Sequence, residues 1–399
     1  MKDLRPVVLT SAVMKIFERA VLVHLQDIVK PFLDPLQFAY RKSRNVDDAI
    51  LFVLNNIYKH LERANTCICI MFFDFSSAFN TIQPHLLANK LIKMGLPFPT
   101  ISWVLDYLTD RPQFVKLNRS ISAISHTNTG APQGTVLSPF LFTLYTADCR
   151  SKTELCPLVK FADDSALTGL ITKDDDTHYR RQIDMFVDWC DQNYLQLNVS
   201  KTKEMIIDFR KVRSCTAEIT IKTETVQQVT SYKYLGVKID NKLSWNENSM
   251  AVLKKTNGRM YCLRKLKSFN VCNQMLQMFY TSVVCSVLTF AAVCWGGNLC
   301  KTDKEKLEKV IKKAGGVVGR KQDTLSDMYN GKLIDRLKII LTDETHPMHD
   351  ELSSRQSNRS NRLLAPPAKT SRYLNSFVPS AIRAYNQDLP NITEREVFT

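Results

Sequence analysis

Cys67-Ile-Cys-Ile-Met-Phe-Phe73 is seven apolar residues in a row, and it closes on Asp74. A run of that length with no polar alternation reads as a strand buried on both faces. Ser76 and Ser77 follow, and then a helix with Leu86, Leu87, Leu91 and Ile92 at helical spacing. A carboxylate at the exposed end of a buried strand is held rigidly and still reaches solvent, which suits a divalent-ion site. Further along, 155–161 and 165–171 read as two short strands around a tight Ala162-Asp163-Asp164 turn. Alone, an Asp-Asp turn has a plain explanation in local side-chain hydrogen bonding. Beside a second strand-end carboxylate it suggests two Mg²⁺ ions, hard cations typically bound by one or two carboxylates plus substrate phosphates.

Around this centre the pattern alternates between helix and strand, predicting an α+β chain. Helices are expected at 12–29, with Val13, Ile16, Phe17, Ala20, Val21 and Val23 on a broad apolar face, and at 46–61, with Asp47 and Asp48 in its first turn. Thr129-Gly-Ala-Pro-Gln-Gly134 is a loop opening into an apolar helix at 137–145. A helix at 179–193, a strand at 203–209 and a strand pair at 226–239, bent at Gly236, come next; beyond 243 helices dominate. Residues 342–367 are rich in Ser, Asn, Arg and Pro and read as a linker or poorly ordered arm. The expected divisions are 1–240, 241–340 and 341–399.

The 399 residues, 44% hydrophobic and 23% charged, are those of a globular rather than a disordered chain. Fifty-four Lys and Arg against thirty-nine acids leave a net charge of +15, which suits a polyanion partner, nucleic acid first. The eleven cysteines form no Cys/His cluster of zinc spacing, so free thiols in a reducing compartment are expected. The N-terminus is no secretory signal, and the apolar stretch 278–295 carries Thr281, Ser282, Ser286 and Thr289, which favours a buried helix over a membrane span. The expectation is an intracellular protein, nuclear or cytoplasmic, with no membrane partner. No Walker loop, GxGxxG or GxSxG is present.

Phe73-Asp-Phe-Ser-Ser-Ala-Phe-Asn80, Gly130-Ala-Pro-Gln-Gly134 and Phe161-Ala-Asp-Asp164, in that order, resemble the palm of a reverse transcriptase. More narrowly the chain is similar to non-LTR (LINE-type) retrotransposon polymerases. Arg5-Pro6 with the helix after it resembles the first fingers motif, and Gln37-Phe-Ala-Tyr-Arg-Lys42 the second. Leu197-Asn198 with Lys201-Thr202-Lys203 resembles the palm motif after the catalytic hairpin, and Tyr232-Lys-Tyr-Leu-Gly236 the primer grip. Even Ser376-Phe-Val-Pro-Ser380 resembles the end of such a reading frame, so the resemblance covers nearly the whole chain.

The resemblance implies a right-hand polymerase: fingers and a palm built on an antiparallel sheet with packed helices, then a helical thumb and a C-terminal extension. It implies RNA-directed DNA synthesis with Mg²⁺, for which Mn²⁺ is a possible substitute, on an RNA template and DNA primer with deoxynucleoside triphosphates. Asp74 and Asp163 would bind metal, with Asp164 in support. Phe79 would be the aromatic gate against a ribose 2′-OH; the competing reading is a core aromatic. Gln133 and Gly134 would let the backbone approach nucleotide and template. Arg41 and Lys42 would meet the triphosphate and Lys201 the leaving pyrophosphate, the alternative for each being a solvated cation.

Between residues 242 and 267 there are seven Lys or Arg and one acid, Glu247. Lys254, Lys255, Arg259, Arg264, Lys265 and Lys267 lie in the region that is a thumb in this family, where phosphates are contacted without sequence being read. The segment around 246–269 also resembles a small helical module of an alkylated-DNA-repair dioxygenase homologue. The chain has no His-x-Asp iron-ligand pair, so that chemistry is excluded. Relative to a complete LINE polymerase the chain begins inside the fingers and carries neither an endonuclease nor a Cys/His knuckle, so an N-terminally truncated form is expected. The alternative function is a truncated, inactive relic that still binds nucleic acid.

Overall fold

In the computed structural model residues 7–211, 217–358 and 360–389 are described. Arg5 and Pro6 of the first motif, and the last ten residues of the expected tail, lie outside the described residues. The chain is α+β. Its contacts divide it into two compact units: Met1–Asn45 with Cys69–Glu204 and Ser214–Gln228, and Val46–Ile68 with Met205–Arg213 and Val229–Thr399.

The strand Thr66–Phe73 is buried at every one of its eight positions, as its unbroken apolar run requires. It is the central strand of a five-stranded sheet in the order Gln227–Gln228, Lys203–Ile207, Thr66–Phe73, Asp164–Thr172, Leu158–Phe161. The sheet is mixed rather than antiparallel throughout. Leu158–Phe161 and Asp164–Thr172 form an antiparallel hairpin, whereas Gln227–Gln228 pairs with Lys203–Glu204 in parallel. A short return strand after a crossover gives that edge its parallel pairing, which no sequence alternation foretells.

The helix Thr177–Gln192 crosses this sheet. Its Tyr179 ring packs on Gly169, where a Cβ would stand 2.6 Å from the ring, and lies within electrostatic reach of Cys69. Phe186, two turns later, packs on Phe73 with ring centroids 4.1 Å apart and lines a cavity with Leu158 and Leu167. Following the helix thus ascends one strand from Cys69 to Phe73 and descends its neighbour from Gly169 to Leu167. The two strands therefore run in opposite directions, and the end of the first and the start of the second share one rim of the sheet.

The helix Ala12–Val29 inverts the expected face. Val13 is 77% and Ile16 65% exposed, while Glu18 is fully buried. The reason is polar: Glu18 accepts from the backbone amides of Val136 and Leu137 at 2.6 and 3.0 Å, and Tyr107 donates to it at 3.3 Å. A carboxylate at the first turn of the helix Ser138–Tyr145 satisfies amides with no intrahelical partner and complements the helix dipole. Replacing Glu18 with Ala leaves both amides buried without an acceptor and should cost about 2–5 kcal/mol. Urea unfolding of the two forms measures this, and a loss under about 1 kcal/mol would mean that water replaces the carboxylate.

Two exposed ribbons follow Leu108: Arg111–Gln113 with Ser125–Thr127, and Lys116–Leu117 with Ser120–Ile121. In the second unit Leu235 and Gly236, with φ of +47° and +90°, turn the hairpin Ser231–Tyr234/Val237–Asp240. Two consecutive positive φ values suit the right-handed twist of a tight hairpin. The helix Asn246–Ser268 packs on Lys301–Val318, and Asp48 is fully buried with Arg336 at 3.2 Å and His346 at 3.4 Å. The helical run Asn273–Asn298 is long and apolar enough to cross a membrane, yet half of that window is buried inside the protein. It also bends at Ala291, with φ +47°. The segment read as a poorly ordered arm contains the helix His349–Ser353, and the helix Phe377–Asp388 beyond it buries Phe377, Val378, Ala381 and Ile382.

Candidate active site

Asp74 directly follows the strand Thr66–Phe73, and Asp163 directly precedes Asp164–Thr172. Because those strands are antiparallel neighbours, Asp74, Asp163 and Asp164 come to one rim of the sheet. Asp74 and Asp163 are half-buried and Asp164 is exposed. The backbone of Asp74 is fixed by the Asn198–Thr202 turn: its amide donates to Thr202 Oγ1 at 3.3 Å, and Asn198 N–H donates to its carbonyl at 2.8 Å. Lys201 stands exposed in that turn, its amide held by Asn198.

After Asp74 the chain makes a short turn, Ala78–Asn80, onto which the Gly130–Gly134 loop is stitched. Gly130 N–H donates to the Ile82 carbonyl at 2.7 Å and Ala131 N–H to that of Phe79 at 2.8 Å. Gln133 Nε2 donates to Asn80 Oδ1 at 3.1 Å, and the Gln133 carbonyl accepts from Val8. Gly134, at φ +95°, is exposed; a Cβ there would meet Val7 at 2.9 Å. Phe79 is half-buried and stacks on Phe142 with centroids 4.7 Å apart, so one face of its ring is a packing surface and part of the ring stays accessible.

The Gln37-Phe-Ala-Tyr-Arg-Lys42 motif lies along Leu158–Phe161, the outer strand of the hairpin that carries Asp163. Phe38 N–H donates to the Lys160 carbonyl, and Lys160 N–H to that of Leu36, each at 2.9 Å. Arg41 donates to the backbone carbonyl of Asp34 at 2.9 Å, and Lys42 is exposed. Tyr40, from the same motif, was not singled out by sequence. Partial burial first, and the charge of Asp163 second, raise its phenol above the ordinary range. Glu18 also escaped notice; its one signal is a lone acid inside an apolar helix face.

The donor set is hard oxygen, as Mg²⁺ prefers. Among the described residues no group of three or more His, Cys, Asp or Glu is drawn together tightly enough to enclose a metal. In the second unit Lys254, Lys255, Arg259, Arg264, Lys265 and Lys267 are all exposed on the helix Asn246–Ser268, whose buried stripe is Ser249, Thr256, Met260 and Leu263.

A family model described as "Reverse transcriptase (RNA-dependent DNA polymerase)" matches residues 1–239. A second, "Alkylated DNA repair protein alkB homolog 8, N-terminal", matches residues 245–286. The "Probable RNA-directed DNA polymerase from transposon BS" of Drosophila melanogaster is 25% identical over 305 residues, covering 73% of this chain and 33% of the relative. The "RNA-directed DNA polymerase from mobile element jockey" of Drosophila funebris is 23% identical over 391 residues, covering 90% of this chain and 40% of the relative. The chain thus spans about a third to two-fifths of the length of these curated relatives. Among solved structures, telomerase from Candida albicans in complex with the TWJ fragment of telomeric RNA aligns over 85% of this chain and 52% of that one, with 13% identity and a TM-score of 0.42.

Proposed function

Because this chain belongs to the reverse transcriptase (RNA-dependent DNA polymerase) family, among its LINE-type retrotransposon members, we propose that it extends a DNA primer on an RNA template. The observation that carries this reading is the sharing of one sheet rim by Asp74 and Asp163, flanked by the Phe79–Gln133 turn-and-loop. In it the first unit supplies fingers and palm, and the helix Asn246–Ser268 belongs to a thumb that grips the duplex by its phosphates.

Asp74 and Asp163 would hold Mg²⁺, with Asp164 adjacent and supporting. Two such ions, when bound, stabilise the attacking and leaving oxygens of an in-line displacement at the α-phosphate. The protein's own groups then orient the reactants. Arg41 and Lys42 meet the triphosphate, Lys201 the departing pyrophosphate, and Gln133 and Gly134 offer backbone to the incoming nucleotide. Extension of a DNA primer on an RNA template with Mg²⁺, against Asp163→Asn, tests the proposal. Absent extension with intact RNA–DNA binding would leave a nucleic-acid-binding protein instead.

Phe79 is proposed to exclude ribonucleotides by occupying the space of a 2′-OH. Phe79→Val should then narrow the preference for deoxynucleotides by about 10–200-fold, the range available to a steric pocket. Paired incorporation assays with dNTP and rNTP read this out, and equal discrimination in both forms would return Phe79 to the core.

A further inference from the structure

We propose that Gln37 is a positioning residue that sets the direction of the Asp163 carboxylate; the inference rests on the polymerase reading above. Ala162 and Asp163 form the two-residue turn between the paired residues Phe161 and Asp164. Ala162 has φ +56°, a left-handed conformation that residues with a Cβ adopt reluctantly. Something must hold it there. Gln37 is 3% exposed, and its Nε2 donates to the Ala162 carbonyl at 3.2 Å while its Oε1 accepts from the Ala162 amide at 3.1 Å. One side chain thereby clamps both peptide groups flanking the Ala162 Cα, and so fixes both torsions of that residue.

The clamp is itself anchored. Gln37 Oε1 also accepts from Ala39 N–H at 3.1 Å, and the Gln37 backbone bridges Lys160 in parallel. The Lys160 ammonium is buried and held by Asp34 at 2.7 Å and by the Thr146 and Cys149 carbonyls at 2.7 and 2.6 Å. The peptide that Gln37 grips through the Ala162 carbonyl is the one from which Asp163 departs, so its plane sets the frame from which the carboxylate is aimed. A glycine at 162 would adopt this φ freely but would sample others too. Alanine under a glutamine clamp is held at this one.

The test combines amide exchange with single-nucleotide kinetics on the full chain. Gln37→Met keeps length and removes both hydrogen bonds; Gln37→Glu keeps the acceptor and loses the donor. In Gln37→Met the Ala162 amide should exchange at least about tenfold faster. Its kcat should fall about 10–100-fold, since small misplacement of a reacting group costs that much, with the dNTP KM within about threefold. Gln37→Glu should restore protection of the amide and recover part of kcat. It carries the test if the methionine variant does not fold. Faster exchange with wild-type kcat would reduce Gln37 to a structural brace, and a raised KM at constant kcat would make it a substrate contact; either overturns the proposal. A wild-type chain that does not extend the primer overturns the polymerase reading and the positioning role with it, while exchange at Ala162 still reports the clamp.

Discussion

Replacing either Asp74 or Asp163 with alanine is expected to abolish nucleotide incorporation, with a loss of at least about 10³-fold, as befits removal of a preorganised electrostatic stabiliser of the transition state. Asp74 and Asp163 sit at the ends of different strands, so neither can take over the other's place. Asp164 is exposed beside them, and Asp164→Ala should retain measurable turnover. The fold should survive all three changes, because none of these side chains is in the buried core. Primer extension at saturating Mg²⁺ together with thermal unfolding separates the outcomes. Full activity in Asp74→Ala would sink the assignment of the rim as the reaction centre.

The second expected result concerns binding and holds even for an inactive chain. Lys254, Lys255 and Arg259 are exposed on the helix Asn246–Ser268 and are expected to touch phosphates. Each phosphate neutralised contributes roughly 0.9 to the slope of log K against log salt on B-form DNA. Changing all three to Gln should therefore flatten that slope by about 2.7, and the affinity lost between 50 and 200 mM salt should shrink by about 40-fold. Unrelated sequences should weaken alike, since these side chains read no bases. A slope unchanged across a salt titration would leave the helix face merely solvated.

The features legible beforehand are those written locally. An unbroken apolar run of strand length reads as a buried strand, a tight Asp-containing turn between two apolar segments reads as a hairpin, and both lie within a few residues of those readings. The bend at Gly236 was equally plain, because glycine accepts the positive φ of +90° found there; that Leu235 before it is also positive was not. What escaped depends on partners far away in the chain. Gln37 and Ala162 are 125 residues apart, and no periodicity in either segment announces their pairing. Glu18 turns inward to two amides more than a hundred residues away, partners that the helix's own spacing does not show. The ribbons after Leu108 have Phe114, Val115, Leu117 and Ile121 exposed, so the alternation that normally betrays a strand has no buried face to report.

Gly130 meets the turn after Asp74 so closely that a Cβ there would stand 2.7 Å from the Asn80 Cα and 2.8 Å from its carbonyl oxygen. Backbone cannot retreat as a flexible side chain can. The turn at 78–80 and the loop at 130–134 therefore have to match: a chimera whose imported loop carries a side chain at position 130 meets a steric clash beside the rim proposed as the reaction centre. Recombination breakpoints between residues 80 and 130 are the ones such grafting experiments should avoid, whereas breakpoints outside this interval move both halves of the joint together.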